Sequence, residues 1–231
     1  MGALATRSNL LRGGALLAFV LGIALLVIGF SCRGSDAPPG SGELKPFDVP
    51  ISPTIAATSE ILTTPTPTPP PFQGAVAKMS LPRLGIDYPI EPIGILPNNE
   101  LDTPKDALGK IGWYNIYAKP GFGSNAVFSA HVNYYSGDGF KPGPFANLTK
   151  VEPGDEIVVE MANGQQYTYK VFKKQRYPVD TIPMGDLIWP KKPDDQEWIT
   201  LITCGGNAVN VNAQGIGEFD SRDVVVALRV R

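Results

Sequence analysis

The stretch EIVVEMANGQQYTYKVF, Glu156–Phe172, decides the fold. Two β-rich arms, Glu156–Met161 and Gln166–Phe172, flank Ala162-Asn163-Gly164. Asn-Gly between such arms is the strongest short hairpin signal, because both residues accept the positive φ that a tight turn demands. In the second arm Tyr167, Tyr169 and Val171 alternate with Thr168 and Lys170, the period of a strand. Outward from the hairpin the pattern repeats. Ala77–Ile86 and Tyr88–Ile93 are apolar but broken by Pro82 and Gly85, and Asn125–Val132 (NAVFSAHV) is a compact apolar run. Trp198–Cys204 (WITLITC) and Asp223–Val230 (DVVVALRV) are strongly β-branched. Pro144–Val151 has room for one short helical turn, with Phe145 and Leu148 on one face. Strands do not alternate with helices, which disfavours a parallel α/β layout. Seven or eight short strands after Gly74 predict an all-β domain, a closed barrel or a sandwich with short helices.

Upstream, the composition changes twice. Residues 1–33 carry Arg7 and Arg12 ahead of an apolar run, Ala15–Phe30. That run is short of the ~20 residues that span a bilayer, and Gly13, Gly14, Ser31 and Cys32 extend it into range. Positive charge before the run sets the amino terminus in the cytoplasm and exports the rest. The segment predicts a signal-anchor, with a cleaved signal peptide as the alternative. Gly29-Phe30-Ser31-Cys32 makes a poor lipobox, since Gly29 stands where Leu is expected. Residues 34–73 form a Pro/Thr-rich linker with ten prolines between Ala37 and Pro71. Such a composition buries too little apolar surface to offset chain entropy and favours disorder. Extended as polyproline II at ~3.1 Å per residue, it would reach on the order of 100 Å. The expected layout is a single-pass membrane protein whose domain, residues 74–231, lies outside the cell.

Composition excludes several classes of function. Lys plus Arg is 20 against 22 for Asp plus Glu, a formal charge of −2 that argues against nucleic acid as a partner. Two cysteines cannot build a disulfide framework. One histidine cannot make a His-rich metal site, and no Cys-x-x-Cys pair stands in for it, so no metal is expected.

Three residues carry the chemistry. His131, the single histidine, closes an apolar run ahead of the polar loop Asn133–Phe140. Cys204 stands at the end of a strand, directly before Gly205-Gly206, where glycine leaves the thiol uncrowded. Arg222 opens the last strand. All three are placed at strand-loop junctions, where scaffolds usually carry function. A cysteine attacks as thiolate, which a nearby cation favours. A histidine supplies that cation and then protonates a leaving amine. An arginine keeps its charge and presents a fork of donors to a developing oxyanion. Each also has a bland reading: an inert buried cysteine, a structural histidine, an arginine paired with Asp220 or Asp223. Convergence in space decides between the two.

On these residues a resemblance rests. Thr200-Leu201-Ile202-Thr203-Cys204 is similar to the TLxTC signature of sortases, which ends in the nucleophile. Asp220-Ser221-Arg222-Asp223 before VVVALRV resembles the sortase arginine that opens the final strand, and Asn125–His131 the strand that delivers the histidine. Chain order His, Cys, Arg fits, as do MSLPRLGIDYPIEPIG and the Phe145–Asp155 segment. Cys-Gly-Gly and Ser-Arg-Asp resemble class F most, with class E second. Ala130-His131-Val132-Asn133 departs from the Gly-His-Val-Asp often found in this group, which leaves the three residues in place but removes the acid at Asn133.

The resemblance implies a closed sortase-type β-barrel of about eight strands and a cysteine transpeptidase without a cofactor. Cys204 would attack the Thr carbonyl of an LPxTG-like sorting signal, with His131 protonating the leaving amine and Arg222 holding the oxyanion. Thr203 and Gly205 would assist in binding substrate. The implied partners are proteins with a C-terminal sorting signal and an amine acceptor, from a cell-wall precursor or a protein lysine. The competing readings are another cell-wall cysteine peptidase and a membrane-tethered β-barrel binding module without activity.

Overall fold

A computed structural model describes Phe47–Asp48 and residues 70–230. The expected signal-anchor, residues 1–33, lies outside the described residues, as does most of the expected linker. Among the described residues no helix is long and apolar enough to cross a membrane.

In chain order the strands are β1 (Phe47–Asp48), β2 (Val76–Leu81), β3 (Ile86–Ile93), β4 (Ile111–Tyr114), β5 (Asn125–Ser129), β6 (Asn133–Tyr135), β7 (Phe140–Pro142), β8 (Glu156–Met161), β9 (Gln166–Pro178), β10 (Trp198–Val209) and β11 (Glu218–Arg229). One short helix, α1 (Met184–Ile188), lies between β9 and β10. The predicted hairpin forms as β8–β9, with Val159 opposite Tyr167 and Gly164 at φ +83° in the turn. Neighbouring strands run β9-β11-β10-β5-β4-β3-β2-β8, and β8 pairs back onto β9, closing an eight-stranded barrel. Two of the pairings, β3–β4 and β5–β10, are parallel. Within the stretch expected as linker, β1 adds to β9 at Lys173 and Lys174, just beyond the residues that β8 pairs.

Several elements differ from the sequence reading. β4 was not expected, because four residues around a glycine show no usable period. Asn133–Phe140, read as a loop, supplies most of the β6–β7 hairpin, which stands apart from the barrel sheet. The expected helical turn is a short 3₁₀ turn at Leu148–Lys150. β10 does not stop at Cys204 but runs through Gly205-Gly206 to Val209, with a bulge between Gly205 and Ala208. β11 starts at Glu218, so Arg222 lies inside the strand.

The core lies on both sides of the sheet. Phe128, Ile199, Leu201, Val225, Tyr169 and Met79 fill the barrel, completely buried or nearly so. Val127, Ile202, Val224 and Val226 point outward, where Leu187 and Ile188 of α1 cover them. WITLITC therefore shows no apolar–polar alternation, because both faces of β10 are covered. Each such side chain contributes about 1.5–3 kcal/mol by leaving water. The segment after β7 adds Phe145, Leu148 and Val151 to the barrel core, all buried. Asn125 fastens the α1 segment: its Nδ2 donates to the Leu187 and Ile188 carbonyls at 2.9 and 3.1 Å, and its Oδ1 accepts from Thr200 at 3.0 Å.

A buried carboxylate ties three stretches of chain together. Glu197 accepts from the Gly121 and Gly123 N–H groups, from the Tyr169 hydroxyl and from Arg229. With Glu197 only 5% exposed, four donors make its charge tolerable.

Candidate active site

Strand parity sets the face. On β5 the inward residues are Ala126, Phe128 and then Ala130, while Val127 and Ser129 point outward, so His131 continues the outward series. On β10 the outward series is Thr200, Ile202, Cys204, and on β11 it is Val226, Val224, Arg222. All three candidate residues thus belong to the outer face of the barrel, Cys204 and Arg222 on the adjacent strands β10 and β11 and His131 just past the end of β5.

Register sets the row. Cys204 and Arg222 are direct cross-strand partners, and Tyr177 of β9 stands opposite Arg222 on the far side. Parallel pairing of β5 with β10 ends with Ser129 opposite Ile202. Beyond it the two chains stay together: Ala130 N–H donates to the Ile202 carbonyl at 3.4 Å, and the Thr203 hydroxyl donates to the Ala130 carbonyl at 2.8 Å. The chain is therefore still beside β10 when it reaches His131.

His131 is held from several sides. Its backbone carbonyl accepts from Phe145 N–H at 3.1 Å, and the Val132 carbonyl accepts from Gly143 N–H at 2.9 Å. A Cβ on Gly143 would stand 2.2 Å from the His131 carbonyl oxygen, so only glycine permits this approach. The imidazole faces the Pro104 carbonyl, and Tyr134 sets its ring edge-on at 5.6 Å between centroids. Burial pulls the imidazole below its ordinary value, and the Pro104 carbonyl opposes that.

Cys204 is half-buried rather than sealed. Burial pushes the thiol up from its ordinary value; the Arg222 charge works against this, and Asp223 adds to it. Arg222 donates from Nη1 to the Phe219 and Ser221 carbonyls at 3.1 and 2.9 Å, which keeps the guanidinium along its own strand.

Thr203 and Gly205 belong to the opposite face. The Thr203 hydroxyl is spent on Ala130, which makes it a support for the His131 segment. Gly205 is glycine because the chain itself crowds it: a Cβ there would meet Asp223 Oδ2 at 2.2 Å. The space beside Gly205 on this face is filled by the Asp223 carboxylate. This behaviour of Thr203 and Asp223 depends on register, which no local pattern carries.

A groove of about 240 Å³ lies on the same outer face. Its floor is Thr200, Val224 and Val226, with Trp198 at one end and Gln175 and Tyr177 along β9. Pro183, Asp186, Leu187 and Pro190 of the α1 segment wall it. Val224 and Tyr177 bring it to within one step of the Cys204–Arg222 row. Among the described residues no three His, Cys, Asp or Glu side chains gather as a metal site would require.

A family model described as the sortase domain matches residues 79–230. Similar solved structures include sortase A from Corynebacterium diphtheriae, at 24% identity and a TM-score of 0.50 over 68% of this chain and 61% of that one. Its lid mutant gives the same identity and TM-score over 68% of this chain and 70% of that one. Sortase C1 from Streptococcus agalactiae follows at 23% identity and a TM-score of 0.49, covering 69% of each chain. At these identities the first two speak for the fold. No curated protein matches the chain.

Proposed function

Because the chain belongs to the sortase family, whose members are cysteine transpeptidases, we propose that Cys204, His131 and Arg222 exchange one peptide bond for another at the outer face of the barrel. The observation that carries this reading is the direct pairing of Cys204 with Arg222 beside the strand that leads to His131. In the first half-reaction the Cys204 thiolate attacks the Thr carbonyl of an LPxTG-like sorting signal, forming a C–S bond. Arg222 stabilises the oxyanion of the tetrahedral intermediate. As that intermediate collapses, the C–N bond breaks and the His131 imidazolium gives its proton to the departing amine. A thioacyl enzyme remains. In the second half-reaction an amine acceptor, from a cell-wall precursor or a protein lysine, attacks the thioacyl carbon. It yields its proton to His131, and the thiolate leaves. Residues upstream of the scissile bond lie in the groove under α1.

The finer reading, class F ahead of class E, rests on Cys204-Gly205-Gly206 and Ser221-Arg222-Asp223. The same reading holds the domain outside the membrane by the run Ala15–Phe30.

The test pairs an LPxTG-like peptide with an amine acceptor. Cys204→Ala is expected to abolish both transfer and the thioacyl adduct seen by intact mass. Arg222→Ala is expected to lower turnover on the order of 10²–10³-fold, as removal of an oxyanion donor does. Full turnover by Cys204→Ala would overturn the assignment.

A further inference from the structure

Behind the row of Cys204, Arg222 and Tyr177 lies a second row on the inner face: Thr203, Asp223 and Arg176, again in direct register. Arg176 grips Asp223 with a two-pronged contact, Nε to Oδ1 at 2.7 Å and Nη2 to Oδ2 at 2.9 Å. The Asp223 side chain is 3% exposed and that of Arg176 is 15%. The carboxylate also leans on the backbone of Gly205, the residue after the nucleophile, closely enough that no Cβ fits between. A buried ion pair is a poor way to stabilise a fold, since an apolar pair of similar volume often does as well or better. Its position against the thiol strand suggests another use.

We propose that Arg176 is a positioning residue for the nucleophile's charge: it neutralises Asp223, so that no unpaired carboxylate lies behind the sulfur when the thiol ionises. The inference deepens the proposed function and rests on Cys204 as the nucleophile. Around Cys204 the charged and titrating groups are Arg222, Asp223 and the half-buried Asp220 on β11, Arg176 and Tyr177 on β9, and His131 beyond β5. With Arg176 and Asp223 cancelling each other, Arg222 is left as the cation that favours the thiolate. Without Arg176, a carboxylate in a low-dielectric site would oppose it. The thiol's elevation, to which Asp223 contributes, agrees in direction.

The experiment measures Cys204 alkylation by iodoacetamide against pH in the full chain, with Cys32→Ser in every variant so that one thiol reports. Arg176→Gln is expected to move the alkylation midpoint up by about one pH unit or more. Asp223→Asn is expected to move it down, and Arg176→Gln with Asp223→Asn to leave it at or below the starting value. Arg176→Lys should restore most of the shift, which a purely structural role would not predict. Should Arg176→Gln fail to fold, Asp223→Asn and the double variant still decide. A midpoint that stays put in Asp223→Asn, or one that is equal in the double variant and in Arg176→Gln, overturns the proposal. Alkylation is independent of transfer. If the midpoints move as expected while no thioacyl enzyme forms with any sorting peptide, the charge pair stands and the transpeptidase chemistry falls.

Discussion

Burial acts on the two titrating groups of the site in opposite senses, raising the thiol and lowering the imidazole. The form that the proposed chemistry requires, thiolate beside imidazolium, is therefore a minority at every pH. Below the lowered His131 value the thiolate fraction falls tenfold per unit while the imidazole is already protonated. Above the raised Cys204 value the imidazolium fraction falls in the same way. The dependence of kcat/KM on pH should be a bell whose flat top spans the interval between the two values, wider than ordinary His and Cys would give. A single rising limb would contradict the pairing. Thr203 carries a second expectation. Thr203→Val removes the donor to Ala130 and should cost about 1–3 kcal/mol in denaturant unfolding, lowering kcat more than it changes KM. Thr203→Ser should recover both. Cys204, His131 and Arg222 stand out in the sequence by residue type and not by position, since Cys204 and Arg222 lie inside β10 and β11 and His131 alone follows a strand end. The part played by Thr203 was not legible there, since its partner lies 73 residues away in the chain.

At the scale of elements, the segment that carries His131 is fixed by the close crossing of Gly143. Gly143→Ala would force the His131 carbonyl to move by about an ångström, and displacements of that size cost on the order of 10²-fold in rate. The expected result is a large fall in turnover with the pH profile of Cys204 alkylation unchanged; equal turnover would show that the crossing has slack. The β8–β9 hairpin was readable because turn chemistry and alternation agree there. Strand ends were less so. Gly205-Gly206 looks like a breaker, but β10 passes through it because β11 supplies partners on the other side of a bulge. β6 and β7 were hidden by Ser136, Gly137, Asp138 and Gly139, the residues of the hairpin tip that joins them.

The whole barrel depends on contacts that no window of sequence shows. Closure requires β2 to meet β8 and β5 to meet β10, pairings between distant stretches, so local pattern left barrel and sandwich equal. The Glu197 cluster is one lock on that closure. Glu197→Ala leaves Arg229 and two glycine N–H groups without their acceptor and should cost about 3–5 kcal/mol, read from urea unfolding. A loss below about 1 kcal/mol would mean that water replaces the carboxylate freely. β11, the latest of the described strands in sequence, lies between β9 and β10 instead of at an edge. A chain without residues 218–229 in place lacks both the Arg222 guanidinium and the strand that walls Cys204. On the proposed chemistry the thiol therefore becomes reactive only once β11 slots between its two neighbours, and closing the shell acts as a safety catch.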